Sequence, residues 1–269
     1  MPATPRLDFD RAPVTTLLAA VAASIEAACL LSELPGDSDL RIDLYNNALG
    51  ILPRLWTGEL WRPFTSSLMH GGLIHAAFNI YWLLVFGPVL EERFGSWRFA
   101  GTVVLLGYLS MMPEYVIGSY DLAEPIMIVG LSGLVYGLFG LLWMGRRWNP
   151  EFHDACDEQT AQVLLVWFFL CIGLTYARIL NVANIAHGAG FGFGVLYAAA
   201  IWSPRHAERW RVAAVAASLV VLATLVACPG HNGYEHVRRG GRLWWQRVAR
   251  TVALETEDRS PADRSPAGI

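Results

Sequence analysis

Between residues 14 and 227 apolar runs alternate with short polar breaks, and this alternation leaves few folds open to the chain. The runs cover 14–34, 67–90, 97–112, 132–144, 161–176, 184–202 and 210–227. One helix needs about 20 apolar residues to cross a bilayer. With 54% hydrophobic and 16% charged residues the chain carries too little charge for a soluble domain of its length. The mean hydropathy of +0.38 agrees. The fold class predicted is therefore an all-α integral membrane protein that crosses the bilayer several times.

The first run follows Arg6 and Arg11, as a signal peptide would, but exceeds an ordinary signal core and is read as a retained helix. Glu26 lies inside it with no obvious partner, and we read it as a bundle-facing or protonated structural carboxylate. The stretch 35–66 carries Ile51, Leu52, Leu55, Trp56, Leu60 and Trp61, which suits a segment lying in the membrane interface. Pro113 is expected to stop the third run, and a polar loop with Glu114, Asp121 and Glu124 leads to the fourth. The tail after the last run places Arg238, Arg239, Arg242, Arg247 and Arg250 around Trp244 and Trp245, an amphipathic stretch with a disordered end. Cys29, Cys156, Cys171 and Cys228 lie far apart and read as free or core thiols.

All twenty basic residues are arginines, and their distribution sets an expected orientation. With the N-terminus inside, the inner segments hold Arg6, Arg11, Arg93, Arg98, Arg146, Arg147, Arg205, Arg209 and Arg211. The outer loops hold Arg41, Arg54, Arg62 and Arg178. The excess favours an inside N-terminus. A seventh span would put the basic tail outside, against the same rule.

In that topology the second, fourth and sixth runs all enter from the outer face. His70 and His75 lie early in the second, Ser132 opens the fourth, and His187 sits in the first turn of the sixth. The unusual polar groups therefore share one leaflet. His75 and Asn79 are four residues apart, hence roughly 40° apart on one helix face, as are Ser132 and Tyr136. His70 is about 140° from His75 on a helix, which puts it at the helix mouth rather than in the inner cluster. Glycines 133, 137 and 140 on one run, and 188, 190, 192 and 194 on another, permit close backbone approach. Such approach is what a serine and a histidine on separate helices need to form a hydrogen bond.

Singly, each residue has a plainer reading. A serine in a membrane helix usually bonds back to a carbonyl, Tyr136 alone is core packing, and Trp61-Arg62 alone is interface anchoring. A histidine cluster suggests zinc, but no acidic or cysteine ligand joins it at a usual spacing. We expect no metal, no cofactor and no nucleic-acid partner. A transporter would show broken helices at midplane and internal repeats, and neither is evident.

Trp61-Arg62, the H-x4-H-x3-N pattern of His70, His75 and Asn79, the GLSG of Gly130 to Gly133 with Tyr136, and AHGAG with Gly190 followed by Gly194 together resemble the rhomboid family of intramembrane serine proteases. The resemblance covers roughly residues 50–203. It implies a six-helix catalytic core over 14–203, a short cytoplasmic segment 1–13, a seventh transmembrane helix at 210–228 and a polar tail 229–269. It implies Ser132 as nucleophile and His187 as general base. His75 and Asn79, with the Ser132 N–H, would form an oxyanion hole, with Tyr136 packed on His187. It further implies transmembrane proteins as substrates, a monomer in a bacterial plasma membrane, and an active site toward the outer face. The rival from the same resemblance is a catalytically silent relative that binds membrane clients. No carboxylate lies in the fourth, fifth or sixth run, so a Ser–His dyad is the economical arrangement.

Overall fold

Helices with apolar side chains on every face bury themselves against one another or against lipid. The computed structural model describes residues 8–33, 40–50, 55, 58–117 and 127–227. Its helices follow in the order α1 (Pro13–Glu33), α2 (Leu40–Leu44), α3 (Arg62–Ser66), α4 (Leu73–Phe94), α5 (Ser96–Ile117), α6 (Ser132–Gly145), α7 (Glu158–Tyr176), α8 (Asn184–Trp202) and α9 (Ala207–Ala227). There is no strand among the described residues. Helices α1, α4, α5, α7 and α8 are long and apolar enough to cross a membrane, and α6 is a shorter apolar helix. Ile51, Leu52, Trp56, Asp121, Glu124 and the arginine-rich tail lie outside the described residues, as do residues 1–7 of the N-terminal segment.

Several expected boundaries move, three of them for an evident local reason. The second run begins its helix at Leu73 rather than 67, because Gly72 stands at φ 146° and breaks the helical path before it. The third continues through Pro113 to Ile117. Proline removes one N–H and one intrahelical bond, which a membrane helix tolerates when neighbouring helices support it. The fifth starts earlier, at Glu158, where the Asp157 carboxylate accepts the Thr160 N–H at 2.7 Å. That bond holds the Asp157 carboxyl below its ordinary range. Its capping contribution is thus present at neutral pH and fades only as acid protonates it.

Helix α6 lies at the centre, with α4, α5 and α8 packed around it. Its closest neighbour is α8, where the two backbones touch. A Cβ at Gly190 would fall 2.0 Å from the Gly133 carbonyl oxygen, and one at Gly194 would fall 2.1 Å from that of Gly137. From the other side, a Cβ at Gly140 would meet the Phe191 oxygen at 2.4 Å. The glycine rows thus divide by face. Gly133 and Gly137 turn toward Ser110 and Leu106 of α5, while nothing lies within 4 Å of a Cβ at Gly192. Glu91, just past the second apolar run, is buried. It accepts the Val14 and Thr15 N–H groups at 2.9 Å each and the Thr15 hydroxyl at 2.8 Å, capping α1.

The length of α6 has a geometric consequence. Its 14 residues span about 21 Å, against about 30 Å of hydrocarbon. Were Arg146 and Arg147 to lie at one interface with α6 upright, the end that carries Ser132 would stop roughly 9 Å inside the other.

The interface between α6 and α8 predicts an asymmetry between neighbouring glycines. Gly194→Ala should lower the thermal unfolding midpoint in detergent, at a cost of about 1–3 kcal/mol from overpacking. Gly192→Ala should hold or raise the midpoint, since alanine favours helix by up to about 1 kcal/mol and meets open space. Equal midpoints for the two variants would refute the contact.

Candidate active site

The site is assembled around the turn that leads into α6. Residues 127–130 run without helical bonds, and Ile128 pins them from both sides. Its N–H donates to the Tyr45 hydroxyl at 3.3 Å, and its carbonyl accepts the Ser66 hydroxyl. Gly130 then takes φ 114°, a region that favours glycine. A Cβ here would also strike the His75 ring, 2.8 Å from Nε2, and stand 3.5 Å from the Asn79 amide nitrogen. The turn is therefore seated against the two α4 side chains that the sequence pairs on one face.

His70 differs from its expected place. It stands before α4 rather than on it, so a rotation of about 100° per residue does not apply. Its ring meets the His75 ring edge-on, with centroids 5.1 Å apart. Its Nε2 accepts the Leu131 N–H at 3.3 Å, which ties it to the residue preceding Ser132. It belongs to the inner cluster after all. His75 Nδ1 in turn accepts the Gly71 N–H at 3.5 Å, which leaves Nε2 as the protonated nitrogen of a neutral ring.

On the opposite side, His187 stands in the first turn of α8, 4% exposed. The Tyr136 ring, one turn below Ser132 on α6, packs on it with centroids 4.8 Å apart. The Tyr136 hydroxyl donates to the Leu164 carbonyl on α7 at 3.0 Å, which fixes the ring. Ser132 and His187 thus occupy the first turns of two helices in backbone contact, at the same end of the bundle. Neither the Ser132 hydroxyl nor the His187 ring hydrogen-bonds to another described residue. Asn79 Nδ2 and His187 Nδ1 are buried without a hydrogen-bond partner among the described residues.

Trp61 and Arg62 do not join this cluster. Arg62, 1% exposed, donates to the Gly50 carbonyl at 2.7 Å and pairs with Glu59, knitting together the segment before α4. Two further residues approach the site unannounced by the motifs. Glu114, expected in a loop, sits in the last turn of α5 and accepts the Ala186 N–H at 2.9 Å, capping α8 next to His187. Glu26, expected without a partner, is paired with Arg41. Neither pairing follows from spacing, because each joins separate elements.

The family model described as Rhomboid domain matches residues 57–204, which contains every motif of this cluster. The chain belongs to the rhomboid family. Its all-helical, multi-pass architecture is that of a rhomboid-like membrane bundle. Two curated relatives carry the name rhomboid protease GlpG. The one from Serratia proteamaculans is 31% identical over 150 residues, 55% of this chain and 50% of the relative. The one from Photorhabdus laumondii is 30% identical over 148 residues, 55% of this chain and 49% of the relative. The chain thus matches about half the length of these curated relatives. The rhomboid match takes in α3 to α8 and leaves α1, α2 and α9 outside.

The Glu114 cap yields its own expectation. Glu114→Ala should free the first turn of α8 and cost about 1–2 kcal/mol of stability, as loss of a helix cap does. Glu114→Gln keeps an acceptor oxygen and should recover most of it. Thermal midpoints of the two variants test this, and a Gln variant as weak as the Ala variant would show that the carboxylate acts otherwise.

Proposed function

We propose that this rhomboid is an intramembrane serine endopeptidase that cleaves transmembrane segments of other membrane proteins. The observation that carries the reading is the seating of the Gly130–Ser132 turn between His75 and Asn79 on one side and His187 with Tyr136 on the other. The names of the two GlpG relatives support it.

In this reading the Ser132 hydroxyl attacks a scissile carbonyl and passes its proton to His187 Nε2. The carbonyl oxygen gains charge beside three donors: Asn79 Nδ2, His75 Nε2–H and the Ser132 N–H. In a water-poor cavity such donors count for more than in water. An unpartnered buried donor such as Asn79 Nδ2 costs the resting protein about 1–3 kcal/mol, which a developing oxyanion would recover. His187 then returns its proton to the leaving amine. Water attacks the acyl-enzyme along the same path in reverse. Tyr136 holds the His187 ring by packing, the orienting work that a carboxylate does in a triad. An intact helix hides its carbonyls, so a substrate segment must unwind locally at the site.

The arginine asymmetry supports an orientation with this end of the bundle outward, in a bacterial plasma membrane. One chain supplies every proposed group, which supports action as a monomer. Helix α9, packed on α8 and α5, would form the seventh crossing.

Ser132→Ala and His187→Ala should each abolish cleavage of a transmembrane substrate while the protein still folds. A fluorophosphonate probe should label wild type and not Ser132→Ala. Cleavage persisting in Ser132→Ala would sink the reading. For the oxyanion donors, Asn79→Ala should lower turnover by about 10²–10³-fold if that donor acts alone, with substrate affinity unchanged. The His75→Ala/Asn79→Ala double variant removes redundancy, and unaltered turnover in it would eliminate these donors.

A further inference from the structure

Glu26 lies two turns from the end of α1 and is 2% exposed. Arg41 closes on it from α2, with Nη1 2.8 Å from Oε2 and Nη2 3.4 Å from Oε1. Withdrawing both charges from water is expensive, and a buried pair is weak evidence of stability by itself. Its second contact is more informative. The same Nη1 that binds Glu26 also donates to the His70 carbonyl.

From that carbonyl the connection runs directly to the site. The His70 ring accepts the Leu131 N–H through Nε2 and lies edge-on to His75. Leu131 is the residue between Gly130 and Ser132. A guanidinium suits this place, because its planar fork presents donors to a carboxylate and a carbonyl together. An ammonium on a flexible stem has no such fork. Both residues precede the rhomboid match at 57–204, so the pairing comes from this chain's own first helix and loop.

We propose that Glu26 and Arg41 form a positioning pair for the oxyanion side of the site. The carboxylate fixes the guanidinium, the guanidinium holds the loop before α4 by the His70 carbonyl, and the His70 ring holds the turn that presents Ser132. The effect on turnover rests on the protease reading above. The effect on the turn does not.

The test uses the full-length protein in liposomes with a transmembrane reporter substrate, comparing wild type, Arg41→Met, His70→Ala and the double variant. Arg41→Met should lower kcat by up to about 100-fold, the loss typical of a small misplacement, with KM unchanged. In the His70→Ala background it should add little, because the connection is already cut. Glu26→Gln, which can still accept from the guanidinium, should lose less than Glu26→Ala. Amide exchange over residues 130–132 should quicken in Arg41→Met. Wild-type kcat in Arg41→Met, or an equal loss with and without His70, would overturn the proposal. Should Arg41→Met fail to insert, Arg41→Lys, which keeps the charge and loses the fork, takes its place in the same comparison. A wild type without turnover would overturn the protease reading instead. The exchange measurement would then still decide whether the pair holds the turn.

Discussion

The backbone contact between α6 and α8 is the constraint on which the rest depends. Lipid is as apolar as leucine, so membrane helices gain by packing closely rather than by escaping water. Here closeness reaches its limit, since Gly190 and Gly194 lie so near the α6 carbonyls that no Cβ fits. That contact brings the first turns of both helices side by side, and with them Ser132 and His187. Tyr136 can reach the His187 ring only because nothing intervenes between the helices. A wider separation would leave a serine and a histidine each in its own bland environment.

Much of this was legible in the chain. Seven apolar runs predicted helices, and all seven form, with the run at 184–202 matching α8 residue for residue. The i, i+4 spacings of His75 with Asn79 and of Ser132 with Tyr136 indicated shared faces, because helical rotation is a local rule. What the sequence hid was relation between elements. His70 looked excluded because helical rotation does not extend to it, α4 beginning only after Gly72. Glu114 looked like a loop residue because Pro113 looked like a stop. Glu26 looked solitary because its partner lies on a separate short helix. Each is a tertiary decision, made by packing that a linear pattern does not encode. The glycine rows carried the same ambiguity, since periodicity identifies the faces but not the neighbour each one meets.

The buried polar groups form two classes. Arg62, Glu91 and Glu114 satisfy backbone groups or partners, and they join elements that are distant in the chain. Asn79 Nδ2 and His187 Nδ1 lack partners among the described residues, as do His70 Nδ1, Trp82 Nε1, the Tyr108 hydroxyl and Asn184 Oδ1. An unsatisfied group in a membrane interior is costly and needs a reason.

Helix ends sharpen this contrast. The N-terminus of α1 is capped by Glu91, that of α7 by Asp157 and that of α8 by Glu114. Helices α4 and α6 have no acidic residue in the first turn, and the acceptor at the start of α6 is the neutral His70 ring, which takes the Leu131 N–H. An uncapped N-terminus presents free N–H groups and about half a positive charge, which a carboxylate would neutralise. Those two open ends carry His75 and Ser132, where the proposed chemistry develops negative charge. The N-terminus of α8, which carries His187, is the one that Glu114 caps.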